Sequence, residues 1–249
     1  MTRTHIVAAA LAAALLVVLT LVSDLLPAFA PRADAIASMA LGVALLAAMV
    51  WGLLPLRTQA GRLLVVAAVA LVVAIAGTYF GATAVFDLAK IALGAAVGFW
   101  LGSTLAELTG DVRWIVGIAV VVAVLDALSV FSPVGVTHYL LTRQPQAVPY
   151  FVVAFPTFGY AVRDVYSALG TADVVFFGLY LSSAAAFGLR VRATAIAIAV
   201  SIVVTVSVAV WWRALPALPL MGLAFLAANA DLLWPLLRGP AGRDGVTPA

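Results

Sequence analysis

Apolar runs of similar length, punctuated by small clusters of charge, dominate the chain. No Asp, Glu, Lys or Arg occurs between Arg3 and Asp24, between Asp34 and Arg57, or between Arg62 and Asp87. Each run is about as long as the ~20 residues that a helix needs to cross a bilayer, so each predicts a spanning helix. A fourth span is expected from about Phe86 to Ala106, with Asp87 and Lys90 near one end. The fifth, Trp114 to Ser132, contains Asp126. The sixth ends at Leu189 and contains or begins with Asp173, its start falling near Tyr166 if it follows directly on Asp164; the seventh covers Ala193 to Trp212. The eighth runs from Ala214 to about Leu236. Trp51, Trp114, Trp211, Trp212 and Trp234 fall near span ends, where amphipathic rings favour the membrane interface.

One connection is long, from Pro133 to about Val165. Its stretch "AVPYFVVAFPTFGYAV", 147 to 162, is almost wholly apolar, yet Pro149, Pro156 and Gly159 argue against a regular spanning helix. Within it Tyr150 to Phe155 is short and rich in β-branched and aromatic residues, which predicts an extended strand. At membrane depth such a strand must be covered or paired, because its backbone groups cannot stay unsatisfied in lipid. The tail 238–249 is polar and rich in Gly and Pro, and reads as disordered. The chain is therefore expected to be one all-α polytopic membrane domain. Residues 1–112 would supply scaffold spans and 113–237 the spans that carry chemistry.

Composition agrees: of 249 residues, 66% are hydrophobic and 9% charged, and the mean hydropathy of +1.22 lies far outside the range of soluble domains. A multi-pass protein of the cell membrane is expected. Arg3, the first apolar run and "AFA" at 28–30 resemble a cleavable secretion signal, but the run is as long as a full span and is read as a retained helix. Absence of cysteine excludes disulfides and thiol catalysis. The net charge of +3 comes from scattered residues without a basic run, so nucleic-acid binding has no support. With eight spans one side collects Arg3, Arg57, Arg62, Arg113, Arg190, Arg192, Arg238 and Arg243, and the other Arg32, Lys90, Arg143, Arg163 and Arg213. That bias puts both termini in the cytoplasm.

Ionisable residues inside spans cost at least ~2.5 kcal/mol each on insertion scales and usually face the bundle interior. Asp87 and Lys90, three residues apart, are expected to form a mutually neutralising interfacial pair. Asp126 has no such neighbour on its own helix. At 1.5 Å per residue it lies roughly 9 Å from the end of span five, and Asp173 roughly 10 Å in from the same face. Two carboxylates at matching depth on antiparallel neighbours can meet. In a low-dielectric site such a pair shares a proton, and one member can act as general base on water while the other acts as general acid. The bland alternative is two unrelated aspartates lining a polar cavity or ion path. On the same face "LPALPL", 215 to 220, carries two prolines three apart, which prevent a regular helix and leave backbone groups free to bond something else.

At these residues the chain resembles the intramembrane aspartyl proteases of the presenilin and signal peptide peptidase family, as a prokaryotic relative. "LDALSVFSPVG" matches the first motif, an aspartate in a span followed by a Pro-x-Gly exit. "GTAD" matches Gly-x-Gly-Asp in part, through Gly170 and Asp173, and Pro216, Ala217 and Leu218 match Pro-Ala-Leu, with Pro219 also fitting. Leu125 and Ala172 depart from the family's usual tyrosine and second glycine. Likeness covers roughly Ile115 to Phe225.

The resemblance implies a presenilin-like bundle of about eight to nine spans and hydrolysis of a peptide bond in a membrane-embedded peptide or protein substrate. Asp126 and Asp173 would be catalytic, and Gly170, Thr171, Ala172, Pro216, Ala217, Leu218 and Pro219 would hold the substrate as an added strand. No metal, nucleotide or other cofactor is implied.

A zinc protease would need His-Glu-x-x-His, and the chain has only His5 and His138, neither in that setting. A serine protease would need a Ser/His pair within the spans. Prepilin-type peptidases use paired aspartates but do not account for "PALP". The alternative from another class is a transporter or channel in which Asp126 and Asp173 carry protons or cations.

Overall fold

The computed structural model describes residues 3–27, 30–158, 168–212 and 215–238, which are mostly helical. Helices α1 (Arg3–Val22), α2 (Pro31–Leu53), α3 (Ala60–Tyr79), α4 (Thr83–Thr109) and α5 (Arg113–Phe131) follow one another through short connections. Gly81 and Gly110, at φ 67° and 59°, supply the left-handed turns that end α3 and α4, a conformation costly to residues with a Cβ. Two short helices come next, α6 (Val136–Arg143) and α7 (Val148–Phe151), and then the strands β1 (Val152–Ala154) and β2 (Ala168–Gly170). The chain finishes with α8 (Thr171–Ala186), α9 (Val191–Trp212), α10 (Leu218–Ala228) and α11 (Ala230–Arg238).

Among the described residues six helical segments are long and apolar enough to cross a membrane, as a multi-pass membrane protein requires. The count of eight regular spans needs correction at two places. The expected sixth span is the 16-residue α8, which begins at Thr171 and not near Tyr166. The expected eighth is two helices bent by 81° at Asn229, so it would make a seventh span only as a broken one. Asn229 is fully buried there. Its amide donates to Thr194 Oγ1 at 2.8 Å and to the Phe225 carbonyl at 2.9 Å, while its oxygen accepts the Arg190 N–H at 2.9 Å. One polar side chain thus ties the bend to the start of α9 and satisfies backbone groups that the bend exposes.

α8 packs on α4 along a stripe that lacks side chains. Gly94, Gly98 and Gly102 recur every fourth residue and so share one face of α4. A Cβ at Gly102 would stand 2.6 Å from the Leu179 carbonyl oxygen, and one at Gly98 would overlap that of Val175. Gly178 answers from α8, where a Cβ would meet the Ala95 carbonyl oxygen at 2.9 Å. Between apolar helices in lipid, such close backbone approach supplies the van der Waals attraction that association needs.

The expected strand at 150–155 is narrower than its composition suggests. Pro149 opens the single turn of α7, which a proline near a helix start favours, and only Val152–Ala154 is extended. β1 pairs antiparallel with β2 in the register Val152 to Gly170, Val153 to Leu169 and Ala154 to Ala168. Val153, Phe155 and Leu169 are buried in the core beneath it.

Two scaffold helices hold this ribbon through charge. Lys90 on α4 pairs with Asp87 at 2.8 Å and donates both to the Pro149 carbonyl at 2.8 Å and to the Val152 carbonyl. Asp34, in the first turn of α2, accepts the Phe158 N–H at 2.8 Å. All three side chains are buried. The Asp87–Lys90 pair thus forms near the start of α4 as its spacing suggested, and it also anchors β1 from within the protein. Residues 159–167, which include Gly159, Arg163, Asp164 and Tyr166, and the tail 239–249 lie outside the described residues, as do the readings made on them.

Candidate active site

Asp126 projects from α5, five residues before the helix ends at Phe131. The exit that follows is tight. A Cβ on Gly135 would overlap the Ser129 carbonyl oxygen, so only hydrogen fits there. The Ser129 hydroxyl accepts the Thr137 N–H at 3.0 Å and sits 2.9 Å from the Thr137 hydroxyl, fixing the reversal into α6.

Asp173 is the third residue of α8 and is buried. It therefore lies in the first turn, not two turns deep, because β2 occupies the residues that were expected to start the helix. Its carboxylate folds back toward Gly170 at the helix start. Reach-back from the third helical position is the arrangement that satisfies an orphan N–H at a helix start. A Cβ on Gly170 would stand 2.9 Å from the Asp173 carboxylate, so glycine lets the acid fold back.

Asp126 does the equivalent for another helix. Its Oδ2 accepts the Leu218 N–H, the first of α10, at 3.1 Å across 92 residues of sequence. Each carboxylate thus sits at a helix N-terminus, where unpaired N–H groups and the helix dipole favour negative charge.

Both line one cavity of about 410 Å³, with Asp126 half-buried and Asp173 deeper. Gly170, Thr171, Ala172, Pro216, Ala217 and Leu218 share its wall, and Pro219 does not line it. Leu215 to Ala217 is non-helical, but α10 starts at Leu218, so Pro219 sits in a first helical turn and does not break a span. Thr171 Oγ1 is buried without a hydrogen-bond partner among the described residues, which leaves it available to water or a peptide. Leu125 is 58% exposed and does not line the cavity.

The chain has no significant match among protein-family models, curated proteins or solved structures.

Several contributors to the site were not singled out from the sequence. Thr205, Val206 and Ala209 bring α9 to the cavity, and α6 and α7 cover it with Thr137, Leu140 and Phe151. No local signal marks them, since they belong to ordinary apolar runs. The buried acid at Asp34 did carry a signal, a carboxylate at a span boundary, which is also where a solvated charge is expected.

Proposed function

We propose that the chain is an intramembrane aspartyl endopeptidase, with Asp126 and Asp173 as a water-activating dyad. The observation that carries this reading is that the two carboxylates, 47 positions apart and on different helices, line one cavity with the Pro216–Leu218 segment. One carboxylate, ionised, takes a proton from water as the oxygen attacks the peptide carbonyl; its protonated neighbour gives a proton to the carbonyl oxygen. Collapse of the tetrahedral carbon then breaks the C–N bond, and the amine leaves with a proton from the dyad. Resemblance of "LDALSVFSPVG", "GTAD" and "PALP" to the presenilin and signal peptide peptidase pattern supports the same assignment.

An extended substrate segment fits the β-ribbon. Lys90 takes the Val152 carbonyl on the side of β1 that faces α4, so the strand edge left toward the cavity is that of β2, Ala168 to Gly170. A peptide adding there would be held by backbone hydrogen bonds next to Asp173. No metal or cofactor enters the scheme.

Asn accepts hydrogen bonds at a helix start as Asp does. Asp126→Asn and Asp173→Asn should therefore keep the Leu218 and Gly170 contacts, leave thermal unfolding within about 1 kcal/mol of the parent, and each abolish cleavage of a model membrane peptide. Cleavage retained by either folded variant would remove the dyad.

A further inference from the structure

A second cleft opens at the other end of the bundle, where the turn after α2 meets the turn between α8 and α9. Trp51, Leu54 and Arg57 line one side, and Leu189, Arg190 and Arg192 the other. The Arg190 guanidinium is engaged, pairing with Asp231 at 2.6 Å. Arg57 and Arg192 have no carboxylate partner among the described residues, and no acid lines the cleft. Two uncompensated guanidiniums from separate connections thus face one hollow. The rest of the wall is apolar, with Leu189 buried and the Trp51 ring stacked on His5 at 6.2 Å between centroids.

We propose that this cleft binds a phosphate group, presented by an anionic phospholipid. Guanidinium forks match phosphate oxygens geometrically and stay charged at every physiological pH. Arg57 follows one segment long enough to span, Arg32–Leu56, and Arg192 opens another, Val191–Trp211, so both lie at headgroup depth. They also lie on the arginine-richer face, where anionic lipids concentrate if that face is cytoplasmic. The phosphate sits between the two guanidiniums, and the first acyl carbons lie along Trp51 and Leu54. Lipid bound in this way staples the α2–α3 connection to the C-terminal end of α8. The site is remote from the aspartates and stands whether or not they are catalytic.

The test uses the intact purified protein. Native mass spectrometry and thermal unfolding are compared with phosphatidylglycerol, with phosphatidylcholine of the same chain length, and with inorganic phosphate. Phosphatidylglycerol should be retained about 30-fold better than phosphatidylcholine, from two guanidiniums near the membrane surface, and should raise the unfolding temperature. Arg57→Gln/Arg192→Gln should lose both effects, while Arg62→Gln, on the same face but outside the cleft, should keep them. If the double variant does not accumulate, Arg192→Gln alone, at an exposed position, should cost about 5-fold. Inorganic phosphate that stabilises the parent as strongly as the lipid, but not the double variant, supports the phosphate site and moves the source from bilayer to solution. Equal retention of the two lipids, or an undiminished preference in the double variant, overturns the proposal.

Discussion

A carboxylate inside a span costs at least ~2.5 kcal/mol on insertion scales, and both cavity aspartates offset that cost at the start of a helix. Asp126 accepts the Leu218 N–H at the start of α10, and Asp173 folds back toward Gly170 at the start of α8. Lys90 acts one step further away. Its ammonium is bound to Asp87 and to two carbonyls of the α7–β1 segment, and β1 sets the register of β2 immediately before Asp173. Lys90→Met should cost about 3 kcal/mol of stability, the penalty for breaking a buried ion pair from one side. Cleavage should fall with it, measured as a lower kcat on the same model peptide. Asp87→Asn combined with Lys90→Met should unfold less readily than Lys90→Met alone, because the double change leaves no buried charge behind. The i, i+3 spacing of this pair was legible in the sequence. Its burial was not, since the carbonyls that complete it belong to Pro149 and Val152, 59 and 62 residues away.

Among elements, the α4–α8 contact controls where Asp173 stands. Gly98 lies against the Val175 carbonyl, two residues beyond that aspartate, so a side chain there must push the first turn of α8 away from α4. Gly98→Val should destabilise the protein by about 3 kcal/mol or more, the upper range for overpacking, and should abolish cleavage. Gly117→Ala is the matched control: nothing lies within 4 Å of its Cβ position, and it should be neutral or slightly stabilising in thermal unfolding. The spacing of apolar runs located α1, α2, α4, α5 and α9 to within about four residues, because a membrane sets helix length physically, while the third run continued past the end of α3 at Tyr79. The same logic misjudged α8 and the α10–α11 pair. Hydropathy records how apolar a run is and not where its first N–H is satisfied, and at both places a cavity carboxylate or a buried Asn229 decides that.

For the whole molecule, side-chain contacts fix which helix ends are neighbours. Arg32 at the start of α2 lies over Trp211 at the end of α9, 4.3 Å from the ring centroid. Arg113 at the start of α5 reaches the Leu237 carbonyl of α11 at 3.1 Å. The natural sequence has no cysteine, so single introduced cysteines report topology without background. Thr58→Cys and Ala186→Cys should react with a membrane-impermeant thiol reagent from one side of sealed vesicles, and Thr83→Cys and Val134→Cys only from the other. Labelling of all four from one side would refute the arrangement of crossings.

The brevity of α8 bears on the bilayer itself. Sixteen residues at 1.5 Å each span ~24 Å, against a hydrocarbon thickness of ~30 Å. Its sides are covered by protein, with only Ala172 and Ala186 exposed along it, so the shortfall falls at its ends, where Asp173 stands in the first turn. Under the proposed activity, bilayer thickness then sets how far headgroup water stands from Asp173. In vesicles of shorter acyl chains the protein should cleave faster than in longer-chain ones of the same headgroup, with the parent sequence unchanged.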